Sequence, residues 1–195
     1  MKIGFLGGAF DPVHLGHLVM AQDAVEQLQL DRLDFVPAAV SPWKERTMVA
    51  SAPDRLEMVR RAIVGDSRFG VCDLEIQRGG LSYTVDTARE LRKRHPDDRL
   101  YWVIGADHLV RLDRWHEVAT LVQLIEFAQV ERPGCEGMAP PVVAGLRLHR
   151  VRSHLIEVSS TELRDRVAHH QGLRYLVPPV VAAYIAEQSL YRNSA

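Results

Sequence analysis

The chain alternates short apolar runs with segments of helical periodicity, and this alternation constrains its fold more than any other feature. We predict strands at residues 2–6, 33–37, 70–76, 100–104, 127–130, 146–151 and 155–158. We predict helices at residues 18–28, 54–64, 85–94, 107–112, 117–124, 162–170 and 179–188. Strands and helices that alternate in this way indicate an α/β fold with a doubly wound parallel sheet and C-terminal helices.

The domain organisation expected from the sequence is simple. The length of 195 residues is that of one ordinary domain. Residues 131–144 contain several prolines and glycines, which predicts a loop: Pro133, Gly134, Gly137, Pro140 and Pro141. No repeat, low-complexity tract or linker divides the sequence. We therefore expect residues 1–195 to form a single domain.

Composition argues against several classes of protein. The formal net charge is −1, and the 24 basic and 25 acidic residues form no basic stripe, which argues against a nucleic-acid partner. No apolar stretch approaches the roughly 18 residues that a membrane helix needs. Cys72 and Cys135 lie far apart, which argues against a zinc site and a disulfide framework and suits a reducing cytoplasm. We expect a cytoplasmic protein without a membrane partner, and no feature of the sequence indicates an oligomeric state.

The segment after the first predicted strand carries the strongest functional signal. Residues 7–17 read GGAFDPVHLGH, which is neither a P-loop nor a dinucleotide-binding fingerprint. Gly7 and Gly8 allow the backbone to approach a ligand closely. His14 and His17 are three residues apart, so at the start of a helix they share a face. The helix dipole at this end favours an anion, and each imidazole offers an N–H donor.

Three later features each have a structural and a functional interpretation. Residues 80–87, GLSYTVDT, precede a helix, and Thr87 with Glu90 has the form of a capping box. Asp107, just after a predicted strand, is either a helix cap or a carboxylate that reaches a ribose. Trp115 is either a core side chain or an aromatic face for a ligand.

Residues 159–164, SSTELR, have the same two interpretations. Ser159 with Glu162 forms a second capping-box pattern at the start of a predicted helix. The hydroxyl groups, the unpaired N–H groups of a helix start and Arg164 would together also make a good phosphate cradle. In α/β sheets ligands bind beyond the carboxyl ends of the strands, so segments that follow strands are the most informative ones.

Together these segments resemble the bacterial nicotinate-nucleotide adenylyltransferase family of the nucleotidyltransferase superfamily. The resemblance covers nearly the whole chain: GGAFDPVHLGH, SYTVDT, GADHLVRLDRW at residues 105–115, SSTELR, and YLVP at residues 175–178. It implies a Rossmann-like nucleotidyltransferase fold, ATP as the donor, and pyrophosphate as the leaving group. It also implies nicotinate mononucleotide as the acceptor, in NAD biosynthesis.

The resemblance implies roles for particular residues. The catalytic residues would be His14, His17 and Arg164. The ATP-binding residues would be Gly8, Ala9, Phe10, His14, Gly16, His17, Gly105, Asp107, Ser160, Thr161 and Arg164. The acceptor-binding residues would be Lys44, Tyr83, Thr84, Trp115 and His116. Attack on the α-phosphorus of ATP needs no protein nucleophile, so these residues would act by positioning and by stabilising charge.

The implied acceptor site makes physical sense for a flat pyridine acid. The nicotinate ring would stack on Trp115, and its carboxylate would be bound by backbone N–H groups near Thr84 and His116.

The resemblance also implies that Mg²⁺ arrives with ATP, with Asp107 or water around it, and without a dedicated metal site in the protein.

Residues 41–46 depart from the family pattern. Many relatives carry Pro-Pro-His-Lys or a similar basic pair after the second strand, whereas this chain reads SPWKER, with Trp43 at the histidine position. Lys44 or Arg46 could reach a phosphate, and a solvated loop lysine is the alternative. Such a loop would also be a candidate lid.

Two alternative functions remain open at this point. A sister enzyme would use nicotinamide mononucleotide or phosphopantetheine, although a phosphopantetheine enzyme would need neither SYTVDT nor the Trp115 segment. A nucleotide-sensing protein of the same fold would bind without turnover, although it would have little need of both His14 and His17.

Overall fold

The structure is a computed structural model that describes residues 1–42, 48–131, 140–154 and 156–192. These residues form a parallel sheet with helices on both faces. The strands are β1 (Lys2–Gly8), β2 (Arg32–Pro37), β3 (Phe69–Val71), β4 (Arg99–Gly105), β5 (Glu126–Val130) and β6 (Leu148–Val151). The helices are α1 (Leu15–Leu28), α2 (Ala52–Ala62), α3 (Leu74–Arg78), α4 (Thr84–Arg94), α5 (Ala106–Leu109), α6 (Val118–Leu124), α7 (Ser160–Ala168) and α8 (Pro179–Glu187). A 3-10 turn lies at Leu112–Arg114.

The strand order is β3-β2-β1-β4-β5-β6, and neighbouring strands are parallel. The chain runs outward from β1 to β3 and then returns to the other side of β1 for β4. The predicted doubly wound α/β fold is therefore confirmed, with its switch point between β1 and β4. Gly8 lies beside Pro37 of β2, and Leu6 lies beside Val103 of β4. The carboxyl ends of these three strands thus meet at one edge.

Both faces of the sheet are buried. Phe5 and Leu6 are adjacent in β1, are 1% and 3% exposed, and point to opposite faces. Leu6 belongs to a core cluster shared with α1, α2 and α8, whereas Phe5 belongs to one shared with α4 and α6. Strands buried on both faces read as continuous apolar runs, which is why the sequence identified most of them.

The prediction of one strand over residues 70–76 is wrong beyond its first residues, because β3 has three residues and α3 follows it. The backbone N–H of Gln77 donates to the carbonyl of Asp73 at 2.9 Å, which is the four-residue hydrogen bond of a helix. Asp73 also accepts a hydrogen bond from Gln77 Nε2 at 2.8 Å, with the four-residue spacing of a helix.

Two further predictions need correction. The strand predicted at residues 155–158 is absent from the described part of this segment. Ile156 and Val158 pack into the core cluster of α1, so their apolar character reflects burial in a loop. The helix predicted at residues 107–112 is interrupted, because α5 ends at Leu109 and the 3-10 turn follows.

The other predicted helices and strands are confirmed, with ends shifted by a few residues. In the segment predicted as a loop, residue 131 and residues 140–144 form no helix or strand, and residues 132–139 lie outside the described residues. No helix within the described ranges is long and apolar enough to cross a membrane.

Candidate active site

A cleft opens at the carboxyl edge of the sheet, where β1, β2 and β4 end. Its cavity volume is about 360 Å³. The wall is formed by the segments that follow these strands and by the starts of α4 and α7. The predicted site residues on this wall are Gly8, Ala9, Phe10, His14, His17, Tyr83, Thr84, Gly105, Trp115, His116, Ser160 and Thr161. The fold thus gathers residues from four distant segments of the sequence around one cavity.

Some predicted site residues are not on this wall. Those that lie next to wall residues without lining the cavity are Gly16, Asp107 and Arg164. Those outside the described residues are Lys44 and its neighbours Trp43 and Arg46. Asp107 lies within α5, with a carboxylate oxygen 3.6 Å from His108 Nε2. The cap residue of α5 is Gly105, so the interpretation of Asp107 as a helix cap is wrong.

His14 and His17 form a stacked pair at the start of α1. His14 is the cap residue of the helix and is 3% exposed, and its backbone N–H donates to His17 Nδ1 at 3.3 Å. The ring centroids are 3.7 Å apart. A Cβ atom on Gly16 would lie 3.1 Å from the His14 ring, so the glycine leaves room for that ring. Because His17 Nδ1 accepts a hydrogen bond, the neutral ring carries its proton on Nε2.

The histidine pair suits a negatively charged ligand. It lies at the N-terminal end of α1, a helix of 14 residues whose dipole makes this end positive. Phe10 packs edge-on against His17 at 5.0 Å and is 1% exposed, which restricts the orientation of the imidazole. A Cβ atom on Gly8 would lie 2.9 Å from the Phe10 ring, so the motif needs a glycine there. Donors held in this way can stabilise charge on phosphate oxygens without rearrangement.

Asp11, in the same motif, connects the site to the C-terminal part of the chain. Its carboxylate is buried and accepts hydrogen bonds from Tyr191 Oη at 2.8 Å and from the backbone N–H groups of Val49 and Ala50 at 2.8 and 3.1 Å. Burial, with the Asp11 charge beside it, raises the pKa of Tyr191, so this hydroxyl remains a donor. Sequence reasoning gave neither residue a role, because they are 180 positions apart.

Arg55 of α2 is a further buried residue that sequence reasoning missed. It is 1% exposed and donates to the backbone carbonyls of Ala9 at 2.7 Å, Ala39 at 3.2 Å and Ala50 at 3.3 Å. These carbonyls belong to the segments after β1, after β2 and before α2. Since Ala39 and Ala50 lie in the same connection between β2 and α2, one buried guanidinium joins the two loops that follow β1 and β2. Burial lowers its pKa, against the opposing effect of the nearby Asp11 carboxylate.

The start of α7 is attached directly to the segment after β1. Ser159 Oγ accepts a hydrogen bond from Glu162 N–H at 3.2 Å, so the predicted cap at Ser159 is confirmed. Ser160 Oγ donates to the carbonyl of Pro12 at 2.9 Å. These bonds hold the SSTELR segment against the loop that leads to the histidine pair.

Arg164 reinforces the same attachment. Its Nη1 donates to the carbonyl of Asp11 at 2.8 Å, and its Nη2 donates to Thr161 Oγ1 at 3.1 Å. To reach a ligand in the cavity, the guanidinium would have to share or leave these acceptors. Its catalytic role stays a prediction, beside the positioning role that these contacts give it.

Two of the predicted segments meet on one side of the cavity. We call this side the acceptor wall and define it as Tyr83, Thr84, Trp115 and His116. The rings of Tyr83 and His116 are 4.5 Å apart, with an angle of 34° between their planes. Trp115 lies edge-on to Phe127 at 6.3 Å and packs on the core, while it also lines the cavity. Trp115 thus packs on the core and also lines the cavity, and its role as an aromatic face for a ligand stays a prediction.

The capping box predicted for Thr87 is wrong. Helix α4 begins at Thr84, so Thr87 lies inside the helix, where it is fully buried. Its hydroxyl donates to Glu75 Oε1 at 2.7 Å. Glu75 is 4% exposed and lines the cavity, yet sequence reasoning passed over it. A single glutamate in a segment predicted as a strand carries no signal that it is buried beside a threonine twelve positions away.

Comparison with known proteins agrees with this geometry. The model of the cytidylyltransferase-like family matches residues 5–166. The chain is 54% identical over 194 residues, the full length of both chains, to the probable nicotinate-nucleotide adenylyltransferase of Opitutus terrae. It is 48% identical over 191 residues to the protein of the same name from Exiguobacterium sibiricum, covering 98% of this chain and 99% of the relative. The solved structure of Plasmodium falciparum nicotinic acid mononucleotide adenylyltransferase complexed with NaAD superposes with a TM-score of 0.78, covering 97% of both chains; at 20% identity this likeness shows the fold alone.

Proposed function

The chain belongs to the nicotinate-nucleotide adenylyltransferases of the cytidylyltransferase-like family, and on that premise we propose that it transfers AMP from ATP to nicotinate mononucleotide. A phosphate oxygen of the acceptor attacks the α-phosphorus of ATP. The bond between that phosphorus and the α,β-bridging oxygen breaks, and pyrophosphate leaves. The other product is deamido-NAD, so the reaction belongs to NAD biosynthesis.

One observation carries the proposal: the histidine pair and the acceptor wall line the same cavity. Transfer between two small molecules requires that both bind in the same cavity, with the attacking oxygen, the phosphorus and the leaving oxygen in line. Holding two reactants in the reactive geometry can supply roughly 7–11 kcal/mol of the barrier. A cavity that contained only the GGAFDPVHLGH segment would suit a nucleotide alone, whereas this one also offers an aromatic face and a second helix start.

For ATP, the proposal assigns the phosphates to the donor wall, which we define as Gly8, His14, His17, Ser160 and Thr161. All five line the cavity: Gly8 ends β1, and the other four residues lie at the start of α1 or α7. The imidazole N–H groups would stabilise charge on the phosphate oxygens as the bond to pyrophosphate breaks.

For the acceptor, the proposal assigns the pyridine ring to Trp115 and the carboxylate to backbone N–H groups near Thr84 and His116. Thr84 begins α4, whose 11 residues give this helix start a positive dipole end. A site built from N–H donors favours a carboxylate over a carboxamide, because the amide N–H₂ group is itself a donor.

The proposed metal is Mg²⁺ that enters with ATP. In the described part of the chain, no group of three or more His, Cys, Asp or Glu side chains is placed to hold a metal ion. Mg²⁺ commonly binds through substrate phosphates with one or two carboxylates, and Asp107 provides one carboxylate next to the cavity wall. When bound, the ion would neutralise part of the charge on the phosphates. The proposed location, as expected from cysteine usage, is the cytoplasm.

The test is pyrophosphate release by the purified protein with ATP and Mg²⁺. Nicotinate mononucleotide, nicotinamide mononucleotide and phosphopantetheine are offered in turn, with a reaction lacking acceptor as the control. We expect the highest kcat/KM with nicotinate mononucleotide. Release with phosphopantetheine alone would establish a different transferase. Binding of ATP without turnover on any acceptor would establish a nucleotide sensor.

A further inference from the structure

Glu75 is a buried carboxylate on the cavity wall for which the proposed reaction has no direct use. It lies in α3, is 4% exposed, and is not part of any motif that led to the family. Burial raises its pKa, while hydrogen bonds from Thr87 and Ser82 act in the opposite direction. A buried carboxylate needs such partners, because an unpaired one would be costly. The two partners, Ser82 and Thr87, lie at the two ends of the segment of residues 82–87.

The two hydroxyl groups that contact Glu75 already accept hydrogen bonds from elsewhere. Thr87 Oγ1 accepts from Arg78 Nη2 at 3.1 Å. Ser82 Oγ accepts from the backbone N–H of Ala39 at 3.0 Å. The Thr87 hydroxyl directs its proton to Glu75 Oε1, and the Ser82 hydroxyl faces the same carboxylate. An ionised carboxylate offers only acceptors to these hydroxyls, whereas an amide in its place would replace one oxygen with a donor N–H₂ group.

These bonds fix the segment between the two hydroxyls. Tyr83 and Thr84 of the acceptor wall lie between Ser82 and Thr87, and both flanking residues are attached to the same carboxylate. The Ser82 backbone N–H also donates to the carbonyl of Val40 at 2.9 Å, which joins the segment to the loop after β2. The start of α4 is thus held in position from α3 and from the β2 loop.

We propose that Glu75 is a positioning residue for the acceptor, which holds Tyr83 and the first N–H groups of α4 where they bind the acceptor carboxylate. This inference rests on the proposed function, because it assumes nicotinate mononucleotide at the acceptor wall. Glu75 touches no reacting atom in this scheme. It acts through Ser82 and Thr87, whose hydroxyls belong to the SYTVDT motif but are used inside the protein.

The test is a set of four variants assayed by steady-state kinetics with each substrate varied in turn. Glu75→Gln keeps the shape but removes one acceptor, and Thr87→Val removes one donor. Both should raise the KM for nicotinate mononucleotide about tenfold, the size of one lost charge-assisted hydrogen bond, while the KM for ATP changes less than about twofold. Thr87→Ser keeps the hydroxyl and should restore most of the acceptor affinity. Glu90→Gln is the matched control, since Glu90 is in α4 but pairs at the surface with Arg94.

A double variant sharpens the test. Glu75→Gln and Thr87→Val alter the same hydrogen-bonded pair, so together they should raise the KM for the acceptor by less than the product of the two single increases. Equal increases in both KM values with a lower Tm would overturn the inference, because they would indicate a general loss of structure. If Glu75→Gln does not fold, Thr87→Val and Thr87→Ser decide: indistinguishable KM values would overturn it. A wild-type protein that releases no pyrophosphate with nicotinate mononucleotide would overturn the proposed function itself, which is a different result.

Discussion

Replacing Arg55 with lysine should destabilise the protein although it conserves the charge. The guanidinium donates to the carbonyls of Ala9, Ala39 and Ala50, which belong to the two loops that follow β1 and β2. A lysine has one nitrogen at the end of a flexible chain and cannot reach three acceptors that are arranged around a planar fork. Because the position is 1% exposed, water cannot easily replace the lost donors.

The size of the effect follows from the number of bonds. If lysine keeps one of the three carbonyls, two buried acceptors lose their donors, at about 1–3 kcal/mol each. The free energy of unfolding should therefore fall by about 2–6 kcal/mol. For a chain of this length each kcal/mol lowers Tm by about 2–4 °C, so a decrease of at least about 4 °C is expected.

The measurement is urea unfolding monitored by circular dichroism, with a thermal unfolding scan as a second measurement. The matched control is Arg60→Lys, in the same helix, because Arg60 is 53% exposed and its ion pair with Asp73 is long, at 3.7 Å. Exposed pairs of this kind contribute about 0–1 kcal/mol, so the control should unfold like the wild type. If Arg55→Lys lost no more free energy of unfolding than Arg60→Lys, the idea that Arg55 joins these two loops would be refuted.

Three further predictions concern the proposed reaction and its scaffold. His17→Ala should lower kcat by on the order of 10²–10³-fold with a smaller change in acceptor KM, as for the loss of one transition-state donor; unaffected turnover in the pyrophosphate assay would make His17 a structural residue. Trp115→Ala should weaken nicotinate mononucleotide binding by about 1–3 kcal/mol in a titration, and Trp115→Phe by less, since it retains an aromatic face. If Trp115→Ala bound nicotinate mononucleotide as tightly as the wild type, Trp115 would be a core residue alone. Tyr191→Phe should lower the free energy of unfolding by about 1.5–3 kcal/mol, because it removes a hydrogen bond to the buried Asp11 carboxylate; a denaturation midpoint equal to that of the wild type would argue against this contact.

The sequence by itself determined the class of fold and the position of the site. Strands buried on both faces are rich in apolar side chains, so β1, β2, β4 and β5 could be predicted from continuous apolar runs in the sequence. The GGAFDPVHLGH segment follows the first of these strands, and ligands of doubly wound sheets bind at that edge. Local patterns were less reliable where burial mattered more than periodicity, as in α3, where adjacent Leu74 and Glu75 are both buried.

Only the tertiary structure decided what the polar residues around the site do. Thr87 has the spacing of a helix cap, yet it is buried inside α4 and bonded to Glu75. Asp11 belongs to the motif, yet its carboxylate binds Tyr191 near the far end of the chain. The physical reason is that a buried hydrogen bond depends on which groups the fold brings within about 3 Å of each other. Residue type and local spacing do not reveal which distant groups will come that close. The apolar pattern of the strands, in contrast, is local and can be read from the sequence.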